Sequence, residues 1–591
     1  MPRRRAASAL LLFALLAPPA ALRARQQTPP TPAPARPAPQ SQPTPAAQAT
    51  PTPATTPTPD PVERIKDEGL NRSQVMQTIS YLTDVIGPRL TGSPALKRAN
   101  VWTRDKLSEW GLQNARLEAW GPFGRGWTLK RFSAEVTAPQ GFPLLAAPRA
   151  WTPGLDAPLT AEVFEVGATN EEELQKYKGQ LRGKIVLAGT LRELRPKFDP
   201  VATRLSERQL LDLANAPDPA LAPRPRQRPP TAEQLAQARW ADRLTQFYYE
   251  EGAALLVGSS PGGDGGMLQF VQAAAVPQAF DTPFEQRVGP WEARAPKLIP
   301  QIALSNDHYN RLARLVRRGE RPVLTVNLQV EFDDSDPMAY NTVAEIPGTD
   351  LKDELVMLGA HLDSWHTGTG ATDNAAGVGV MMEAVRILKA LNLQPRRTVR
   401  IALWSGEEQG LLGSRAYVKE HFGPVASPTP AAPPAAATPA TPTPAAAPAP
   451  PRFKPDYDRL NVYFNADSGT GAIRGIYLQG NEALRPIFRR WLMPFRDFKV
   501  GDRDYSATTI TAANAGGSDF LAFQAVGLNG LDFLQDDIEY ETRTWHSNQD
   551  TFDRIIPEDV KQAAIIVAAF VYHAATETER LPRKPLRRPD S

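Results

Sequence analysis

Two of the six histidines in this 591-residue chain fall among acids in a pattern suited to holding a metal. "AHLD" places His361 and Asp363 at the end of one apolar run, "SGEE" places Glu407 and Glu408 at the end of a second, and "NADSG" places Asp467 at the end of a third. Asp373 opens a helical pattern in "GTGATDNAAG", where the unpaired N–H groups of a helix start favour negative charge, and His546 lies in "TWHSNQDTF" ahead of the last helix. Glu407 and Glu408 are adjacent with no Lys or Arg beside them, so their repulsion must be met by something other than a basic side chain. Oxygen-rich ligand sets with one histidine each suit zinc, and a carboxylate shared by two ions about 3.5–4 Å apart makes a two-metal hydrolytic centre. The chain has no HExxH, which excludes the single-zinc design carried on one helix.

Other reactive residues carry less. His366 is near enough to Asp373 in sequence to contact substrate or support the centre, whereas His308 and His421 lack suitable acidic company and His573 lies in the apolar helix "AAIIVAAFVYHAA". "GSSPG" from Gly258 to Gly262 matches G-x-S-x-G. A nucleophile elbow has to lead into a helix, however, and Ser260 leads into "PGGDGG", which disfavours a serine hydrolase. Tyr505 and Tyr540 are candidates for stabilising an oxyanion.

The elements that must position these residues form a main α/β domain. The runs "ELVMLGA", "TVRIALW" and "LNVYFNA" are nearly continuous apolar strands alternating with helical pattern, as a mainly parallel sheet covered by helices on both faces requires. From Asn374 to Leu391, the residues Ala375, Val378, Met382, Val385 and Leu388 recur on one helical face. Ligands in open α/β sheets collect at the C-terminal edge of the strands, which is where each acidic motif falls. Ahead of this, Ser93 and Pro94 read as the N-cap and first residue of a helix. Residues 158–332 change texture, with short apolar runs such as "GKIVLAGT" and "GAALLVGSS" separated by Gly and Pro, and read as an inserted β-rich domain.

Residues 1–24 have an Arg-rich start, an apolar stretch from Ala6 to Leu16 and a small-residue exit, which is the form of a secretory signal peptide, and the chain is expected to be exported to the periplasm or the medium. No span is expected in the mature chain. Residues 25–60 and 423–452 are Pro/Ala/Thr-rich tracts that cannot bury enough surface to fold, the first a linker and the second a loop within the main domain. The catalytic parts are then 61–157 and 333–591. A net charge of +3 from 67 basic and 64 acidic residues, spread along the chain, argues against a nucleic-acid partner. An exported chain without Cys has no disulfides and must draw stability from its core or bound metal.

"VMLGAHLDSW", "ATDNAAGVGV", "LWSGEEQGLLGS", "NADSG" and "HSNQDTFD", with "IGPRLTGS" near the N-terminus, resemble the motifs of the co-catalytic zinc exopeptidase family that includes bacterial leucyl aminopeptidases and glutamate carboxypeptidase. The resemblance runs from about Asn71 to Arg583. It implies two Zn²⁺ per chain, one held by His361, Asp373 and Asp467 and the other by Asp373, Glu408 and His546. It makes Glu407 the general base and Asp363 the acid that orients His361. It further implies a peptide substrate, a homodimer, and a protease-associated-like insert that caps the site. Asn374 stands where some relatives have a second Asp, and the tract after Phe422 departs from the family pattern. Two other readings of the same fold are a receptor-like binding module, which would lose metal ligands, and a cyclase that closes N-terminal glutamine.

Overall fold

A computed structural model describes residues 60–221, 230–283, 286–425 and 452–584. The expected leader, the first Pro-rich linker up to residue 59 and most of the second tract lie outside the described residues.

The main sheet has eight strands, and its four central ones, Arg397–Trp404, Leu351–His361, Leu460–Asn465 and Gly530–Gln535, lie in that order and run parallel. Gln113–Trp120 and Ala339–Ile346 extend one side antiparallel, and Ile473–Tyr477 and Thr509–Thr511 extend the other. Residues 399–404 and 460–465 are buried at all but one position. A strand covered on both faces has no solvated side, and its side chains are therefore apolar without alternation.

Helices Ala376–Ala390 and Pro557–Thr576 pack on one face, and Leu412–His421 and Phe520–Gln524 lie with the other face's core. The first of these was expected to show one apolar stripe. It is instead buried from Ala376 to Leu388 on all sides, because the sheet and the Pro557–Thr576 and Val75–Ser80 helices enclose it. Its two charged residues there, Glu383 and Arg386, pair with each other at 2.8 Å, and Arg386 reaches Glu68 at 2.9 Å. The Pro94–Glu109 helix starts as expected, with the Ser93 hydroxyl accepting from the Leu96 N–H at 3.2 Å.

A second eight-stranded sheet has the order Phe142–Pro143, Gly126–Ala138, Val323–Asp333, Leu159–Glu165, Ile185–Leu187, Leu255–Ser259, Gln301–Leu304 and Ala146–Pro148. The expected segment 158–332 therefore accounts for only part of it. Gly126–Ala138 pairs along its whole length with Val323–Asp333, so the sheet cannot begin at residue 158. Its core is Val163, Leu187, Leu255, Val257, Ile302 and Leu304 with the Asn306–Arg317 helix packed on it. No helix among the described residues is long and apolar enough to cross a membrane.

Candidate metal centre

Because four neighbouring strands are parallel, the loops that follow them leave from one edge. His361 ends its own strand opposite Trp404. Glu407 and Glu408 lie in the turn after Trp404, Asp467 lies two residues past Asn465, and His546 is carried by the long loop after Gln535. Asp373 lies in the turn ahead of the Ala376–Ala390 helix, and its carboxylate is buried among the others.

His361 Nε2 is 3.2 Å from Asp373 Oδ1 and 3.3 Å from Asp467 Oδ1. His546 Nε2 is 3.2 Å from Asp373 Oδ2 and 2.8 Å from Glu408 Oε2. The two oxygens of Asp373 thus face different histidines. Each imidazole nitrogen meets two carboxylates, more than one N–H can serve, and Asp373 Oδ2 and Glu408 Oε1 are buried without accepting a hydrogen bond. Orphaned buried acceptors around imidazole nitrogens fit a cation. Among the described residues, His361, Asp373 and Glu408 place a donor atom each within 4.8 Å of one another.

The titration behaviour agrees. Burial opposes the charging of His546, but Glu408 and Asp373 push it up to about 11, and Asp467 and its neighbours likewise raise His361. Burial, then Asp373, pushes Glu408 up to about 7, whereas the two histidines hold Asp373 low against its burial. Burial raises Glu407 well above the usual carboxylate range, reinforced by Asp467, Asp519 and Glu408. Such a crowd of carboxylates in low dielectric needs positive charge among them.

Asp363 acts more broadly than its expected orientation of His361. The nearer partner of His361 Nδ1 is the Asp363 backbone carbonyl, at 3.0 Å, with the carboxylate at 3.7 Å. That carboxylate accepts the backbone N–H groups of Glu407 and Glu408, each at 3.3 Å, and the Thr91 hydroxyl at 2.9 Å. It therefore holds the turn that presents both glutamates.

Several supports were not singled out by sequence reasoning. Asp550 accepts from Thr372 N at 2.6 Å and from Asp373 N at 3.2 Å, fixing the backbone that carries Asp373. Arg89 is fully buried and donates to the carbonyls of Leu362 at 2.7 Å, Thr369 at 2.9 Å and Gly370 at 2.7 Å, tying the loop after His361 to the turn before Asp373. Burial lowers its pKa to about 10, which leaves it charged at neutral pH. Both lie inside quoted motifs, "HSNQD" and "GPRLTG", and a charged residue in such a run was the available signal. Asn374 donates to Ala466 O at 2.8 Å and accepts from Gly377 N at 3.0 Å, a bridge that an Asp at this position could not donate to.

Other candidates fall elsewhere. Tyr505 donates to Asp559 at 3.0 Å, beside the last helix, and is removed as an oxyanion donor. Tyr540 is half-buried near Asp373, Asp467, Glu408 and Asp550, and its ring lies over Gly469, where a Cβ would meet ring atoms at 3.0 Å. His366 donates to Pro148 O at 2.7 Å rather than facing Asp373, and His573 stacks on Trp491. His308 accepts from Leu145 N, and His421 faces Glu118 at 3.1 Å. Ser260 exchanges hydrogen bonds with the Gln269 backbone, which a structural serine does.

Residues 341–571, which contain all five candidate ligands and both glutamates, match Peptidase family M28. Carboxypeptidase Q of Mus musculus is 24% identical over 523 residues, spanning 87% of this chain and 88% of that protein. The chain is a metallopeptidase. Leucine aminopeptidase 2 of Trichophyton equinum is 41% identical to this metallopeptidase over 122 residues, 20% of this chain and 23% of that protein. A peptidase M28 precursor from Shewanella amazonensis SB2B shares the fold, with a TM-score of 0.56 and 23% identity over 89% of this chain and 98% of that one.

Proposed function

We propose that this metallopeptidase is an exported exopeptidase that hydrolyses terminal peptide bonds of dipeptides or short peptides with two zinc ions. The observation that carries the reading is the division of Asp373, one oxygen toward His361 and the other toward His546. His361, Asp373 and Asp467 would hold one ion and Asp373, Glu408 and His546 the other. Asp373, Glu408, Asp467 and Glu407 together carry the four negative charges that two divalent cations offset. When bound, the ions would acidify a water and polarise the scissile carbonyl.

The chain's own residues supply the rest. Glu407, left outside both ligand sets, takes the proton of the attacking water on a carboxylate oxygen and returns it to the leaving amine nitrogen. Asp363 keeps Glu407 aimed by holding its backbone N–H. With Tyr505 bonded to Asp559, Tyr540 is the remaining candidate to donate to charge developing on the carbonyl oxygen. The second sheet would serve as a protease-associated-like cap. A receptor-like module is disfavoured because every candidate ligand and the base are present, and a cyclase is disfavoured by the similarity to carboxypeptidase Q over most of the chain.

The test is a screen of purified, zinc-loaded protein against dipeptides that are free, N-blocked or C-blocked. Cleavage of free dipeptides with loss on blocking one end supports an exopeptidase and names the end recognised. Cleavage only within long, doubly blocked peptides overturns the reading.

A further inference from the structure

One segment of the second sheet's chain meets His546 directly. Leu268 and Val271 pack with Ala147 and Ala303 of that sheet, which anchors "LQFVQ" to it. From this anchor the segment clasps the loop of His546. Leu268 N donates to Asn548 Oδ1 at 2.8 Å, Asn548 N to Leu268 O at 2.9 Å, and Phe270 N to His546 O at 2.8 Å. His546 itself is left-handed, with φ of +52°, a conformation a non-glycine residue keeps only when its surroundings hold it. The Phe270 ring lies edge-on to His546 with centroids 5.7 Å apart. Beyond it, Gln272 Nε2 lies 3.1 Å from His546 Nδ1.

An imidazole that binds a cation through Nε2 must be neutral with its proton on Nδ1, and the group facing Nδ1 fixes that tautomer and the ring's direction. For His361 this partner is the Asp363 carbonyl, on the same strand end. For His546 it is an amide 274 residues away on the second sheet's segment. The two ends of an amide have the same shape, and a turn about its last bond presents Oε1 to the Nδ1–H.

We propose that Gln272 is a positioning residue for the metal centre, setting the tautomer and direction of His546, so that the second sheet helps to assemble the site as well as to cover it. The inference rests on the reading of His546 as a ligand. Glu408, Asp373 and the ring's aromatic neighbours act on the Nε2 side or on the faces, so no other described side chain is bonded to Nδ1.

The experiment measures zinc retained by the full chain against graded chelator, together with melting temperature after metal removal, for Gln272→Leu, Gln272→Glu and His546→Ala. Gln272→Leu has no acceptor for Nδ1–H and is expected to hold one zinc about 10–100-fold more weakly, with the other unchanged. Gln272→Glu restores the acceptor and should recover that zinc, which a merely structural role does not predict. Melting of the metal-free variants should match that of the metal-free parent. If Gln272→Leu keeps both zincs at parental affinity, or if Leu and Glu weaken binding alike, the inference is overturned. His546→Ala separates the two readings: loss of one zinc there with an undisturbed Gln272→Leu defeats the inference alone, whereas retention of both zincs in His546→Ala defeats the ligand assignment.

Discussion

Glu407 and Glu408 leave one turn for different company. Glu408 meets His546 at 2.8 Å, whereas Glu407 makes no side-chain bond to either histidine and is raised by burial beside the other carboxylates. Glu408→Gln should therefore lower zinc occupancy, with activity partly restored by excess zinc. Glu407→Gln should keep both ions and lose roughly 10²–10⁴-fold in kcat at every zinc concentration, because an amide cannot take the proton. Metal analysis alongside kcat distinguishes them, and identical behaviour would refute the division of labour. His366 gives a second expectation at this scale. Burial lowers it from the ordinary 6.5 to about 4, so the fold favours its neutral form. Its contribution is whole above pH 6.5 and is lost as pH falls toward 4, a change of about 3 kcal/mol for a shift of this size. His366→Gln, which retains a donor for Pro148, should flatten the fall in stability between those pH values in denaturant titrations.

At the scale of elements, the loop from Gln535 to His546 is held from two sides by the chain of the second sheet. Opposite the Gln272 segment, Thr203 and Ile538 exchange backbone hydrogen bonds of 2.7 and 2.9 Å. Arg204 reaches past them to Asp536 at 2.8 Å and to Asp559, on the last helix, at 2.7 Å. Both carboxylates are fully buried, while the Arg204 side chain is 30% exposed. Removing the cation leaves Asp536 with Arg474 at 3.6 Å and Asp559 with the Tyr505 hydroxyl and the Ala472 N–H, none of which replaces a bonded guanidinium. Arg204→Met should therefore destabilise the protein by about 3 kcal/mol in urea titrations. Adding Asp559→Asn to it should recover part of that loss, and a double variant no more stable than the single one would show that the ion pair is not the source.

For the whole molecule, a chain without Cys has placed an acidic cluster, met among the described residues chiefly by two histidines, at the junction of two sheets. Metal bound only to the folded state stabilises it by RT ln(1 + [L]/Kd), about 4 kcal/mol when free metal is a thousandfold above Kd. Chelation should abolish hydrolysis and lower the melting temperature by several degrees, and zinc should restore both. A metal-free protein with unchanged melting would show that the cluster is compensated in another way.

The gathering of these residues was legible in the sequence because polar residues at the ends of apolar runs obey a short-range rule: a parallel sheet sends the residues after its strands to one edge. His361, Asp363, Glu407, Glu408 and Asp467 each lie within a few residues of a strand end, and local pattern was enough to name them. The sheet's helical cover and the Ser93 cap were legible for the same reason. Tertiary structure alone decided the rest. Gly126–Ala138 joins the second sheet through pairing with a strand nearly 200 residues on, which no local period reveals. That Asp550 holds the Asp373 turn, that Arg89 joins two loops through their carbonyls, that Tyr505 turns away to Asp559 and that Gln272 meets His546 are contacts between distant parts of the chain. Side chains such as Gln and Asn carry no distinctive sequence signal, and their roles come into being only when folding brings a partner within hydrogen-bond reach.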